Sequence, residues 1–184
     1  MMGLPEAEHS HMTRNPSHVL DSFDGISDND LILRFALGSD FAFVQSLVCD
    51  PSTVAALNDT PESAQATLRK IWAEGLKPPG MRHIIAVSQD QGDRIGYLRL
   101  PCPFDFDRCL WMSFLAVVPQ WRGKGFGRRI LELLFVGARE NPLILKFGMH
   151  TVRTNVRAVS LYESLRFECG GKERTLRERG WHQG

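Results

Sequence analysis

The amino-acid sequence predicts a mixed α/β fold in a single domain. The chain has 184 residues, a length that suits one hydrophobic core. Two helical segments and a run of strands come first, and strands and helices alternate in the second half of the chain. This order favours a sheet of mixed strand direction with helices packed against its faces.

The domain is predicted to begin after a polar segment. Residues 1–29 show no sustained hydrophobic periodicity and contain several turn-forming residues, so we expect a flexible tail there and a single domain over residues 30–184. Leu31–Ala36 is typical of a first strand. The apolar residues of Phe41–Val48 have helical spacing, and Gly38–Asp40 offers capping residues in front of them.

A second helix and a hairpin are predicted next. The helix has a start signal at Thr60–Pro61 and ends near Gly75. Residues 83–88 and 95–100 are strand-like, and turn formers at 90–93 separate them. These features predict an antiparallel hairpin.

Strand and helix then alternate. Residues 110–118 are almost wholly apolar, which is typical of a central strand covered on both faces. Residues 130–138 predict a packed helix that Asn141–Pro142 ends, and residues 143–151 predict another strand. A last helix follows, and its apolar face comprises Ala158, Leu161, Tyr162 and Leu165.

Composition disfavours several function classes. The 22 basic and 21 acidic residues nearly balance, which argues against a nucleic-acid-binding module and against a protein of anionic membrane surfaces. No apolar run is long enough for a membrane span, and the first residues lack the pattern of a secretory leader, so we expect a soluble cytoplasmic protein. The four cysteines match no zinc spacing, and no metal is expected.

The most informative stretch lies where the central strand meets a helix. Residues 117–129 read VVPQWRGKGFGRR, an apolar segment that runs into glycines and cations. Glycine permits tight turns, and the N–H groups at a helix start bind anionic oxygens. Lys124 precedes Gly125 rather than Ser or Thr, which excludes a Walker-type loop, and Arg128 replaces the third glycine of a dinucleotide fingerprint.

The remaining pattern is Arg122, two residues, Gly125, one residue and Gly127. It resembles the pyrophosphate-binding motif of the GCN5-related N-acetyltransferase (GNAT) superfamily. The structural alternative is an ordinary strand–turn–helix junction that uses glycine as punctuation.

A second segment, residues 150–167, resembles the other characteristic element of that superfamily. Asn155, Leu161–Tyr162 and Phe167 fall at its spacings. Arg166 stands where a glycine usually precedes the final Phe, so the turn that leaves this helix is expected to be built differently.

The resemblance implies the GNAT fold, a central mixed sheet with a splayed parallel strand pair flanked by helices. The strands ending at Val118 and beginning at Leu143 would form that pair, and acetyl-CoA would enter the gap between them. The residues implied as cofactor contacts are Leu115, Ala116, Val117, Arg122, Gly123, Lys124, Gly125, Phe126, Gly127, Arg128 and Asn155. Asn155 has the alternative role of capping the next helix.

Tyr162 is the candidate general acid. The resemblance implies this role, and a phenol with an ordinary pKa near ~10 can protonate a departing thiolate. The alternative is a tyrosine that only packs on the apolar face of its helix.

A base is also needed, because an alkyl ammonium with a pKa near ~10 has no free lone pair at neutral pH. Trp111 occupies the position at which several relatives have a glutamate, and His150 occupies the position at which others have one. Imidazole suits base catalysis near neutral pH, and Gly148 is expected to leave room for a substrate beside His150. A structural histidine is the alternative, and Asp105 and Asp107 are reserve candidates.

The leading hypothesis is an acetyl-CoA-dependent N-acetyltransferase in which a primary amine attacks the thioester directly, without a metal. Both a small-molecule amine and a protein N-terminus fit as the acceptor, and a homodimer is one assembly left open. The alternative hypothesis is a non-catalytic acyl-CoA sensor, because Trp111 replaces a familiar base.

Overall fold

A computed structural model describes residues 16–75, 81–101, 108–170 and 175–177. Strands β1 to β8 span Leu31–Phe35, Arg82–Ser88, Arg94–Leu100, Cys109–Met112, Phe114–Val117, Lys146–His150, Glu168–Gly170 and Thr175–Arg177. Helices α1 to α5 span Phe41–Val48, Pro51–Leu57, Pro61–Gly75, Phe126–Glu140 and Val156–Ser164, and short 3-10 helices span Pro16–Phe23, Gly38–Asp40 and Pro119–Trp121.

The strands form two sheets, and the continuous segment β4–β5 contributes one strand to each of them. The first sheet has the order β1-β2-β3-β5, and its neighbouring strands are antiparallel. The second has the order β4-β6-β8-β7, with β4 and β6 parallel. The predicted mixed α/β architecture with a parallel strand pair is therefore confirmed.

The predicted central strand is broken at Ser113, between β4 and β5. The Ser113 N–H donates to the Arg99 carbonyl at 3.0 Å, and Arg99 is also the register partner of Phe114. Two residues of the central strand thus face one residue of β3, which is a β-bulge. The bulge divides the strand between the two sheets, and β5 and β6 separate beyond it.

Two apolar clusters cover the two faces of the first sheet. One packs α4 against the sheet and includes Ile130, Leu134 and Leu98. The other packs α1 and α3 against the opposite face and includes Val44, Trp72 and other side chains. We call the face covered by α1 and α3 the front face.

The N-terminal segment takes part in the first cluster. Leu20 and Phe23 are almost completely buried, and the Phe23 ring lies so close to α4 that a Cβ on Gly137 would be 2.9 Å from it. The expectation of a flexible tail over residues 1–29 does not hold for this part of the chain. The structure instead packs the chain against α4 from Leu20 onward, because the Leu20 and Phe23 side chains fill the space over that helix. Residues 1–15 lie outside the described residues.

Helix α2 was not predicted, although its signals are present. Asp50 accepts a hydrogen bond from the Thr53 amide at 3.1 Å, and Pro51 occupies the first helical position. The helix ends at Asn58, which adopts a left-handed conformation.

No helix in the described part of the chain is both long enough and apolar enough to cross a membrane.

Candidate functional site

The edge of β5 carries peptide groups that face away from the first sheet. Val118 donates to the Ile95 carbonyl at 2.9 Å, and bonding residues alternate along an antiparallel pair. Ala116 therefore bonds towards β3, whereas the peptide groups of Leu115 and Val117 point to the opening beside β6. This corrects the expectation for Ala116, whose peptide group is committed to the sheet.

The segment after β5 forms a loop that requires glycine at two positions. Gly123 has φ +74° and Gly125 has φ +85°, and Gly125 is the N-cap of α4. These values lie in the left-handed region, which L side chains rarely adopt. An added Cβ at either residue would meet nothing within 4 Å, so the backbone conformation, not crowding, accounts for glycine here.

The first turn of α4 presents peptide N–H groups that have no acceptor within the helix. Arg129 donates to the Gly125 carbonyl at 3.2 Å. The amides of Phe126, Gly127 and Arg128 precede it in the first turn, where a helix has no internal acceptors for them. Together with the helix dipole, they make this loop a cradle for an anion.

The basic side chains around the cradle differ in how far they are engaged. Arg129 forms ion pairs with Asp28 at 2.9 Å and Asp30 at 2.6 Å. Arg128 donates to the Ser164 hydroxyl at 2.6 Å and remains partly exposed. Lys124 lies 4.8 Å above the Trp121 ring. Lys124 and Arg128 are thus the cations best placed to add charge to the cradle.

Arg122 connects the cradle to α2 instead of pointing freely towards a ligand. Its Nε donates to the Val117 carbonyl at 2.7 Å, and its Nη2 donates to Thr53 at 3.0 Å and Asp50 at 3.3 Å. Its Nη1 also donates to Ser52. Hydrogen bonds from Ser52, the Thr53 amide and Arg122 hold the pKa of the Asp50 carboxyl below its ordinary value. The side chain predicted to hold pyrophosphate is therefore a clamp between β5 and α2.

A cavity of about 680 Å³ lies beside this clamp, between α1 and the turn that joins β2 to β3. Asp50 and Arg94 supply charged groups to its wall, and the segment from Val118 to Trp121 closes one side. The glycine loop, Tyr162 and His150 do not line it. The cavity is therefore adjacent to the cradle but separate from the predicted catalytic residues.

Asn155 caps α5. Its Oδ1 accepts a hydrogen bond from the Ala158 amide at 3.2 Å, which is the capping role considered from the sequence. The Nδ2 group is not used by this cap.

The end of α5 explains the unusual Arg166. Phe167 donates to the Tyr162 carbonyl at 3.1 Å and Arg166 donates to the Glu163 carbonyl at 3.0 Å, the pattern of a Schellman motif. Arg166 has φ +65°, the conformation that favours glycine at this position. The turn therefore has the ordinary geometry with an unfavourable residue, which corrects the expectation of a different turn.

Tyr162 is buried on the face of α5 that contacts the first cluster. Its side chain is 6% exposed, and its ring packs edge-on against Phe167. Burial raises the pKa of the Tyr162 phenol to about 12. The hydroxyl is consequently protonated throughout the neutral range.

Trp111, Gly148 and His150 form one packed unit. Parallel pairing places Trp111 beside Gly148, and the indole stacks on the His150 ring at 4.6 Å and 10°. A Cβ at Gly148 would lie 2.7 Å from two atoms of the indole. The space at Gly148 is thus filled by Trp111 and is not free for a substrate, which corrects the expectation from strand alternation.

This aromatic pair lies on the side of the second sheet that faces away from α4, which is the same side as the front face of the first sheet. Phe147 and Met149, which alternate with Gly148 and His150, pack in the α4 cluster on the other side. His150 is exposed beyond the indole, at the end of β6. The structure therefore places the candidate base at an accessible edge near the opening between the sheets.

Arg99 was not identified from the sequence. It lies opposite the bulge on β3, and its guanidinium carbon is 5.0 Å from the centre of the Phe114 ring. An arginine in the otherwise apolar strand at residues 95–100 was the signal that could have found it.

The part of the chain that carries the cradle and α5 matches a known protein family. Residues 81–169 match the family model described as "Acetyltransferase (GNAT) domain". No curated protein matches the chain.

Solved structures show the same fold. The chain is 19% identical to spermidine N-acetyltransferase from Vibrio cholerae in complex with CoA and spermine, with a TM-score of 0.67 and coverage of 83% of this chain and 95% of that one. It is 19% identical to aminoglycoside acetyltransferase AAC(6')-Ib in complex with coenzyme A, with a TM-score of 0.64 and coverage of 81% and 94%. An acetyltransferase from Thermus thermophilus is 18% identical, with a TM-score of 0.60 and coverage of 80% and 94%.

Proposed function

We propose that this chain, which belongs to the GNAT superfamily by its fold and by the domain at residues 81–169, is an acetyl-CoA-dependent N-acetyltransferase that acts on a primary amine. One observation carries the proposal: the outward edge of β5 is followed, after the 3-10 helix at Pro119–Trp121, by a positive-φ glycine loop at the start of α4. The named neighbours acetylate spermidine and aminoglycosides, which supports an amine as acceptor.

The cradle residues fit coenzyme A. The outward peptide groups of Leu115 and the N–H of Val117 would pair with the pantetheine arm as an added strand does. The amides from Gly123 to Arg128 would hold the pyrophosphate, with Lys124 and Arg128 adding positive charge. Acetyl-CoA supplies an activated thioester when it is bound.

Tyr162 would serve as the general acid. A phenol that stays protonated at neutral pH can donate a proton to the departing thiolate sulfur, and its raised pKa is consistent with that role. Burial in the α5 face fixes its position, which limits the reorganisation needed during the reaction.

His150 would accept the proton of the acceptor amine. It is exposed at the end of β6, and its stack on Trp111 fixes the orientation of the ring. Asp105 and Asp107, the reserve candidates, lie outside the described residues.

The test follows free thiol release from acetyl-CoA with a panel of primary amines. We expect amine-dependent thiol release and mass addition of one acetyl group. Tyr162→Phe should lower kcat about 10²- to 10⁴-fold while the affinity for acetyl-CoA is retained. Tyr162→Phe with unchanged kcat would remove the general-acid role.

The same assay separates the enzyme from the sensor hypothesis. The packing of Trp111 at the position of a familiar base is the observation that favours a sensor. Tight binding of acetyl-CoA without thiol release for any amine would support the sensor, and absence of coenzyme A binding by a folded protein would refute both.

A further inference from the structure

Arg99 presents a cation with no counter-charge on the described front face. Its Nε atom is buried without a hydrogen-bond partner. No carboxylate of the described residues raises the pKa of its guanidinium. Burial lowers the pKa of the guanidinium, yet arginine keeps its charge in proteins.

The aromatic groups around Arg99 do not neutralise it. Phe114 faces the guanidinium, and such a contact compensates only part of the cost of desolvation. Tyr97 donates its hydroxyl to His83 Nδ1 across 2.6 Å, and His83 Nε2 lies 3.3 Å from the Ile71 carbonyl. Burial lowers the pKa of His83 to about 4, so this ring is neutral and offers Arg99 no negative charge.

Arg99 is also placed where the two sheets diverge. Its carbonyl accepts from Ser113, so its backbone is joined to the bulge that opens the gap between β5 and β6. Its side chain shares the front face with Phe114, and Trp111 stands on the same face two residues before the bulge. Arg99 and the Trp111–His150 stack therefore lie on the same side of the opening.

From this juxtaposition we infer that Arg99 binds an oxoanion, a carboxylate or a phosphate, carried by the acceptor amine. The inference rests on the proposed acetyl transfer and names its substrate class: a primary amine with an anionic group, as in an amino acid or an acidic peptide. Arg99 is partly exposed, so its guanidinium would donate charge-assisted hydrogen bonds to the oxoanion. A polyamine would bring further positive charge towards Arg99 and is disfavoured.

The experiment uses linear amines in matched sets. Each α,ω-amino acid with two to five methylenes is compared with its carboxamide and with the corresponding aminoalkyl phosphate, in the full-length protein, Arg99→Lys and Arg99→Met. In the wild type we expect kcat/KM for the anionic amine to exceed that for the carboxamide at least tenfold. Arg99→Met should reduce this ratio about ten- to hundredfold, and Arg99→Lys should keep most of it. Whichever anionic amine, carboxylate or phosphate, shows the larger preference over the carboxamide carries the group that Arg99 binds.

Two further measurements keep the outcomes distinct. Acetyl-CoA affinity should be equal in the three proteins, and Arg99→Met should melt at the same or a higher temperature, because it removes an uncompensated buried charge. A lower melting temperature with an unchanged anion preference would show that Arg99 is structural and overturn the inference.

A binding measurement distinguishes failure of the proposed acetyl transfer from failure of the Arg99 site. If no amine is acetylated, calorimetry on the coenzyme A complex still compares the amino acid with its carboxamide. Tighter binding of the anionic form that is lost in Arg99→Met supports the site, whereas equal binding of both forms overturns it.

Discussion

The packing of Trp111 across Gly148 gives a quantitative prediction for Gly148→Ala. The new methyl carbon would lie 2.7 Å from two indole carbons and 3.0 Å from a third. Carbon atoms pack best at about 3.5–4.0 Å, so the methyl overlaps the ring by about 1 Å. The indole cannot yield in isolation, because its other contacts include the stack on His150.

The expected size of the effect combines two opposing contributions. Overpacking costs about 1–3 kcal/mol. Replacing glycine by alanine within a strand returns about 0.5–1 kcal/mol of backbone entropy. We therefore expect Gly148→Ala to lower the free energy of unfolding by about 1–2 kcal/mol. In a Trp111→Ala background the overlap is gone, and the same substitution should raise it by about 0.5–1 kcal/mol.

The assay is urea unfolding of the wild type, both single variants and the double variant. Far-UV circular dichroism is the signal, since two of the three variants lack Trp111. The double-mutant cycle should give a coupling of about 2 kcal/mol between the two sites. Equal effects of Gly148→Ala in both backgrounds would refute the packing described for β4 and β6.

Three further predictions address the cradle, the end of α5 and the buried histidine. Gly125→Ala strains a residue at φ +85° by about 1–2 kcal/mol and should weaken coenzyme A binding, measured by calorimetry, at least tenfold. The control is Gly92→Ala, at φ +71° in the β2–β3 turn, which should cost similar stability and leave binding unchanged. Equal losses of binding in the two variants would argue against the cradle. Arg166→Gly should raise the free energy of unfolding by about 1 kcal/mol, because it relieves a left-handed arginine, and no gain in melting temperature would contradict the Schellman geometry. Burial lowers the pKa of His83 from 6.5 to about 4, so on acidification the unfolded chain takes up a proton at higher pH than the folded protein does. The contribution of the neutral His83 ring to stability is present above pH 6.5 and should fall by roughly 2 kcal/mol between pH 6.5 and pH 5. His83→Gln should lose that pH dependence, and an unchanged slope in urea titrations would assign it to other groups.

Local sequence patterns predicted the elements whose causes are local. The hairpin at residues 82–100, the helix from Pro61 and the glycine loop after β5 follow from turn formers, capping residues and the need for positive φ. The helix cap at Asn155 also depends on local sequence, because its Oδ1 accepts a hydrogen bond from an amide three residues away. These features depend on neighbours in the chain, so the sequence contains the information for them.

Tertiary packing decided the features that depend on residues distant in the chain. Arg122 reaches Asp50 because α2 packs beside the end of β5, and no spacing in the sequence announces that contact. The bulge at Ser113 marks the point where the strand passes from pairing with β6 to pairing with β3, and it places Arg99 beside the opening between the sheets.

The sequence by itself determined the mixed α/β fold and the glycine loop at the start of α4, because hydrophobic periodicity, glycine and capping groups act over a few residues. Only the tertiary structure decided which polar groups are available to a ligand. Trp111 fills the space at Gly148, and Val118 bonds to β3 in a register that commits Ala116 to the sheet. The physical reason is that hydrogen bonding and close packing are settled between strands and helices, and a side chain or peptide group satisfied there is no longer free to bind a substrate.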